Sequence, residues 1–502
     1  MKPFELGSRA GLEDLYQVAV LGRKVSLSAK AAAKLNAIRA RLEASLKDGR
    51  AVYGINTGFG ELASRRIPDK DCAVLQFNLI RSHACGAGEP FSDAQARGLM
   101  FLRANELARG HSGIRTQTLR VLVQCLNAGI VPFVPSRGSV GASGDLAPSA
   151  HVAMTLIGEG LARERGGEWK SACALLKKHG IKPASLEAKE GLSLINGTQA
   201  MQSVGGLAII KAFWVWHAAL AAGAMTVEAL KGTPRPFSPE INNLKPHKGQ
   251  VETARLLTRM FEGSEIRESH AEGDTRVQDP YSLRCMPQVH GAVCDALEYA
   301  ASTIETEFLS ATDNPLLVNP QSARPEAVSG GNFHGQALAL SFDFACAGMT
   351  SLGNITERRI YQLVSDSSGM LPPFLARNPG LESGWMIAQF TAASIASENK
   401  TLAHPASADS IPTSGNKEDF VSMGMWGALK LDKVVENTAT IAALELLAAA
   451  QGVEYHAPLK PGKGVCRTLK LVRSVAPALK GDESIAAHIA FVRQAVLNGV
   501  FA

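Results

Sequence analysis

Apolar residues recur along this chain mostly at three- and four-residue intervals, the spacing that places them on one face of a helix. Several runs exceed ordinary helix length: roughly 192–231, 286–309, 333–365 and 432–452. Strand-like alternation is scarce. In 441–450 the small side chains fall on several faces, which lets neighbouring helices approach closely in a bundle. The pattern predicts a mainly α chain. Breaker-rich segments at 132–148, 232–239, 319–333, 371–375 and 404–416 separate the runs. Loops that long in a compact helical protein tend to carry function. The softest boundary falls near residue 200, which divides an N-terminal region, 1–200, from a helical region, 201–502.

Composition changes this picture little. With 502 residues, 46% of them hydrophobic and 20% charged, the chain has material for a large core, and disorder does not describe it. The balance of 52 basic and 46 acidic residues, a formal +6, is too dilute to grip nucleic acid or an anionic lipid surface. The most membrane-like stretch, 203–230, is interrupted by Lys211, His217 and Glu228 and is rich in Ala and Gly, so it reads as a buried helix. The first residues hold no apolar stretch of signal-peptide length, and acidic residues stand at Glu5, Glu13 and Asp14. A cytoplasmic location is expected. The eight cysteines form no C-x-x-C pair and none stands at zinc-finger spacing from a histidine, so mostly buried, reduced thiols and no metal site are expected.

Common catalytic patterns are missing: there is no H-E-x-x-H, no G-x-x-x-x-G-K-[ST] and no G-x-S-x-G. Gly86-Ala87-Gly88 opens like a dinucleotide loop, but Glu89-Pro90 follows where a third glycine and a helix are needed. The informative loop is Gly138-Ser-Val-Gly-Ala-Ser-Gly-Asp-Leu-Ala-Pro148, whose recurring glycines permit a tight backbone path. Asp145 reads as a helix N-cap, and Pro148 falls in the first turn, where its missing N–H costs nothing. The positive helix end then faces 142–144. Closure of the Gly144 nitrogen onto the Ala142 carbonyl would make a five-membered ring, and loss of water from Ser143 would leave a methylidene electrophile. The plain alternative is a glycine-rich turn capping a helix.

This loop resembles the site of the histidine/phenylalanine/tyrosine ammonia-lyase family, in which Ala-Ser-Gly forms the 4-methylidene-imidazol-5-one (MIO) group. Other blocks of that family follow in the expected order: Tyr53-Gly-Ile-Asn-Thr-Gly-Phe-Gly60, Ile195-Asn-Gly-Thr198, Val277-Gln-Asp-Pro-Tyr-Ser-Leu-Arg-Cys285, Ser310-Ala-Thr-Asp-Asn-Pro315, Gly330-Gly-Asn-Phe-His334 and Leu371-Pro-Pro-Phe-Leu375. The likeness runs from near residue 15 to near 455. It implies a mainly α fold, with a long central helical bundle and an N-terminal region bearing the electrophile. It also implies a homotetramer whose active sites combine loops from three subunits. MIO would come from Ala142, Ser143 and Gly144 without an external cofactor.

Elimination of ammonia from an amino acid needs a base for a weakly acidic β-proton, an activating electrophile and a carboxylate anchor. By the resemblance Tyr53 is the base, although an unperturbed tyrosine titrates near about 10 and would have to be lowered. Arg284 matches the carboxylate anchor, a role its planar fork suits. Tyr281 joins the catalytic set, and Asn196, Gln278 and Phe333 match positions that line the site. His83 and Glu418 resemble the histidine-specific branch, because an acidic group can hydrogen-bond an imidazole N–H, while the phenylalanine and tyrosine branches usually carry glutamine at the position of Glu418. His83 decides less, since tyrosine-specific bacterial relatives share it. Two departures, Gly415-Asn416-Lys417 for the more usual Ala-Asn-Gln and Phe420 where that branch often has His, bear on fine specificity. The expectation is conversion of L-histidine to urocanate and ammonia. The alternatives are a tyrosine or phenylalanine ammonia-lyase, an aminomutase of the same family, and an inactive helical scaffold without MIO.

Overall fold

The structure, a computed structural model, describes residues 1–502 except 47–54, 59–64, 275, 323–324 and 366–368. It is mainly α-helical, with strands of two to four residues in small ladders. Seven helices matter most for the site: α1 (Cys72–His83), α2 (Leu146–Leu156), α3 (Glu190–Ile195), α4 (Gln199–Ala229), α5 (Met286–Phe308), α6 (Gln336–Val364) and α7 (Gly424–Glu454).

Three of the long apolar runs are single helices: α5, α6 and α7, the last beginning eight residues before the predicted start. The run at 192–231 is interrupted. Asn196 is extended and Gly197 has a φ of 153°, a conformation that only glycine adopts freely, so α3 stops and α4 starts afresh. Such a break is invisible to periodicity because apolar residues continue on both sides of it.

Contacts group the chain into two units, each assembled from separate stretches: 1–207, 301–342 and 405–429 in the first, and 208–300, 343–404 and 430–502 in the second. Four of the five cuts fall inside α4, α5, α6 and α7, and the fifth, after residue 404, falls between helices.

In the first unit α1, α2 and α3 pack on one another. Two short strands, β1 (Ala87–Pro90) and β2 (Pro135–Arg137), pair antiparallel, so the chain leaving α1 runs along the segment that enters the 138–145 loop. A buried polar cluster lies behind Gly197: a Cβ there would meet Gln199, Arg103 Nη1 and Thr312 Oγ1. Beside it Lys189 and Asp313 form a fully buried ion pair at 2.8 Å.

In the second unit four helices meet at one buried point. Arg359 on α6 donates to both oxygens of Glu445 on α7, at 2.6 and 2.8 Å, and Glu445 also accepts from Thr226 on α4 at 2.7 Å. His290 on α5 completes the group, its Nε2 3.1 Å from Arg359 Nη1. Burial pushes the Glu445 carboxyl up, partly offset by Arg359, whereas burial and the Arg359 charge both push His290 well down. The helix α4 is long and apolar enough to cross a membrane, but 72% of its apolar window is buried within the protein, as in a core helix.

The cysteines are all free, but only Cys72, Cys125, Cys294 and Cys346 are buried; Cys85 and Cys173 are exposed, so burial describes half of them. Among the described residues no three His, Cys, Asp or Glu side chains cluster tightly enough to hold a metal ion.

Candidate active site

The loop between β2 and α2 follows a left-handed path at four positions: φ is 140° at Gly138, 74° at Gly141, 54° at Ser143 and 70° at Gly144. For Ser143 that conformation costs about 1 kcal/mol or more, so surrounding contacts must hold it. Three distant segments do. Gly144 bridges Gly197, and the Asp145 N–H donates to the Gly197 carbonyl at 2.8 Å. The Gly141 carbonyl accepts from Ser422 Oγ at 2.8 Å and from Gly335 N at 3.0 Å, and Met423 N donates to Val140 O at 2.8 Å. A Cβ at position 144 would fall on the Gly197 carbonyl, so only glycine fits there. Ala142 is buried beside it.

Asp145 occupies the N-cap position of α2, as the sequence predicts, but its carboxylate makes no bond to its own helix. It accepts instead from Met201 N at 2.8 Å, in the first turn of α4, and from Ser139 Oγ at 2.7 Å. The side chain thus caps the neighbouring helix and ties the 138–145 loop to it. Complete burial pushes its carboxyl up to about 7 against the pull of those hydrogen bonds. Glu307 is likewise pushed up by burial and accepts from Thr198 Oγ1 at 2.7 Å.

Glu418 comes to the triad from 275 residues away, its Oε1 accepting from Ser143 Oγ at 2.9 Å. Its other oxygen accepts from Thr413 Oγ1 at 3.0 Å, and backbone bonds pair the same two residues, which fixes the carboxylate's direction. His83 ends α1, half-buried, with Nδ1 3.0 Å from Ser82 Oγ. Burial lowers its pKa, while a Leu79 backbone hydrogen bond and the charge of Glu418 pull it back up. Phe333 is half-buried just before Gly335, and Phe420 stacks on His334, ring centroids 5.9 Å apart and planes 10° apart. Asn196 is buried, with an Oδ1 that finds no partner among the described residues.

The second unit presents Gln278, Tyr281 and Arg284. Val277 beside them is 99% exposed and Tyr281 is 71% exposed. The Arg284 guanidinium lies over the Tyr281 ring at 4.6 Å, and its Nε is buried without a partner among the described residues. Of the expected site residues, the first unit therefore holds Ala142, Ser143, Gly144, His83, Asn196, Phe333 and Glu418, and the second holds Gln278, Tyr281 and Arg284. Tyr53 lies outside the described residues. Sequence reasoning missed Ser139, Gly197 and Ser422 as individual supports. Gly197 sits inside the quoted Ile195–Thr198 block, but Ser422 carries no local signal.

This architecture recurs among known proteins. Residues 10–474 match the family described as aromatic amino acid lyase. Over 500 residues the chain is 49% identical to a histidine ammonia-lyase from Sorangium cellulosum, an alignment covering 98% of this chain and 97% of that protein. The structure is similar to the crystal structure of histidine ammonia-lyase from Trypanosoma cruzi, with a TM-score of 0.91, 40% identity, and 99% and 94% of the two chains covered. It is similar too to the tyrosine aminomutase from Streptomyces globisporus, with a TM-score of 0.93, 36% identity, and 99% and 97% covered. The chain belongs to the aromatic amino acid lyase family and is a carbon–nitrogen lyase of the mainly α fold that its motifs imply.

Proposed function

We propose that the enzyme eliminates ammonia from L-histidine to give urocanate, the activity for which its Sorangium and Trypanosoma relatives are named. The observation that carries this reading is the contact of Glu418 with Ser143, beside His83. A carboxylate in that position can accept an imidazole N–H. A phenyl ring would offer this half-buried carboxylate no N–H in return, which disfavours phenylalanine.

The residues at 142–144 fit MIO: buried Ala142, two consecutive left-handed residues, and a glycine where no side chain has room. The MIO group supplies an electrophile that draws electrons from the substrate. The positive end of α2 favours negative charge developing on the loop before it. In this reading Tyr53 takes the β-proton, with Tyr281 in the same catalytic set. Arg284 grips the substrate carboxylate in a bidentate fork, and Asn196, Gln278 and Phe333 line the pocket. The exposure of Tyr281 and Val277 supports completion of each site by neighbouring copies, in a homotetramer with sites shared among three subunits; a cytoplasmic location belongs to the same reading.

Intact mass and a substrate screen test this together. Purified enzyme should weigh two waters less than its sequence and should convert histidine, not tyrosine or phenylalanine. Glu418→Gln should keep the mass deficit yet lower kcat/KM for histidine by about a hundredfold. Unchanged histidine kinetics in that variant would remove the basis of the substrate assignment, and β-amino acid products would point to an aminomutase. An unmodified mass without turnover would leave a helical scaffold.

A further inference from the structure

We propose that His151, which the mechanism above does not use, is a positioning residue for substrate recognition: it holds the turn carrying His83 against the helix that leaves the reactive loop. The inference rests on the reading above, in which Glu418 accepts the substrate's imidazole N–H, and takes His83 beside it as a second contact to the same ring.

His151 lies on α2, half-buried, and its Nε2 accepts the Gly86 N–H at 3.1 Å. An accepting Nε2 places the ring proton on Nδ1 and requires a neutral ring. Gly86 stands three residues after His83, at the turn that ends α1 and enters β1. That turn has no slack. A Cβ on Gly86 would lie 3.1 Å from both the Arg137 carbonyl and Pro135 Cβ, and 3.2 Å from His151 Nε2. On the other side, a Cβ on Gly138 would lie 2.9 Å from Ala147 Cβ and 3.2 Å from Gly86 Cα.

Gly86 is therefore wedged between the strand that enters the loop and the first turn of the helix that leaves it. His151 supplies the side-chain hydrogen bond in this wedge. Glu418 comes from a distant segment of the chain, touching Ser143 with its carboxylate and His83 with its field. The position of His83 relative to Ser143 thus depends on how the Gly86 turn seats on α2, and the His151 ring sets that seating.

His151→Leu removes the acceptor and leaves the Gly86 N–H unpaired, whereas His151→Gln offers an amide oxygen near the place of Nε2. A His83 contact to the substrate ring, remote from the bonds that change, would be made in the ground state and the transition state alike, so its loss should raise KM and spare kcat. H151L should raise KM for histidine about tenfold with kcat within about twofold of wild type. H151Q should return KM to within about twofold. Both variants should keep the deficit of two waters, showing that the loop itself still forms. If H151L does not fold, H151N, whose shorter amide cannot reach Gly86, carries the same expectation against H151Q. An unchanged KM in H151L or H151N, a fall in kcat at constant KM, or no recovery in H151Q overturns the proposal while the proposed function stands. A wild-type enzyme that leaves histidine untouched overturns both.

Discussion

At the scale of single residues, Asp145 shows how one side chain joins stability to the site. Its carboxyl is fully buried and pushed up to about 7 from an ordinary 3.8. The folded protein therefore retains this proton at pH values where the unfolded chain has lost it. The stabilisation is fully present below about 3.8 and is lost as pH rises through about 7, a change of about 4 kcal/mol. Asp145→Asn should flatten the fall in thermal midpoint between these limits, and a profile parallel to wild type would contradict the assignment. Local sequence placed Asp145 at a helix start correctly, because N-cap preference is a property of the residue and the turn that follows. It could not reveal the true partner, since Met201 lies 56 residues further on and reaches Asp145 only through packing.

Among elements, the second unit stakes four helices on one buried charge pair. Arg359 and Glu445 are both fully buried, and Thr226 and His290 bring two further helices to them. Desolvation makes such a pair weak evidence of net stability, but breaking it strands a charge. Arg359→Met should cost about 3–5 kcal/mol in denaturant unfolding, and adding Glu445→Leu to it should recover most of that loss. A single variant as stable as wild type would show that Glu445 is neutral in the fold. Helix existence was legible here because apolar spacing is local, whereas helix ends were not. The start of α7 at Gly424 follows a segment that Ser422 and Met423 hold against the 138–145 loop, and a glycine-rich opening gives no helical signal of its own.

For the whole molecule, the chain builds each unit from three stretches, and the residues expected in one active site are divided between the two. The exposed side chains of Gln278 and Tyr281, next to Arg284, motivate a test of shared sites. Ser143→Ala subunits and Arg284→Met subunits, each inactive alone, should regain on the order of a tenth or more of wild-type activity when dissociated and reassembled together. No recovery would mean that one subunit supplies both groups.

Sequence alone determined the family motif and the helical class, because the Ala142-Ser143-Gly144 turn and the apolar spacing are encoded over a few neighbouring residues. Tertiary structure alone decided which groups face that turn. Glu418 and Ser422 reach it across more than 270 residues, and Gly197 fills the space a side chain at position 144 would need. Such contacts follow from the packing of distant segments, whose geometry no local pattern specifies.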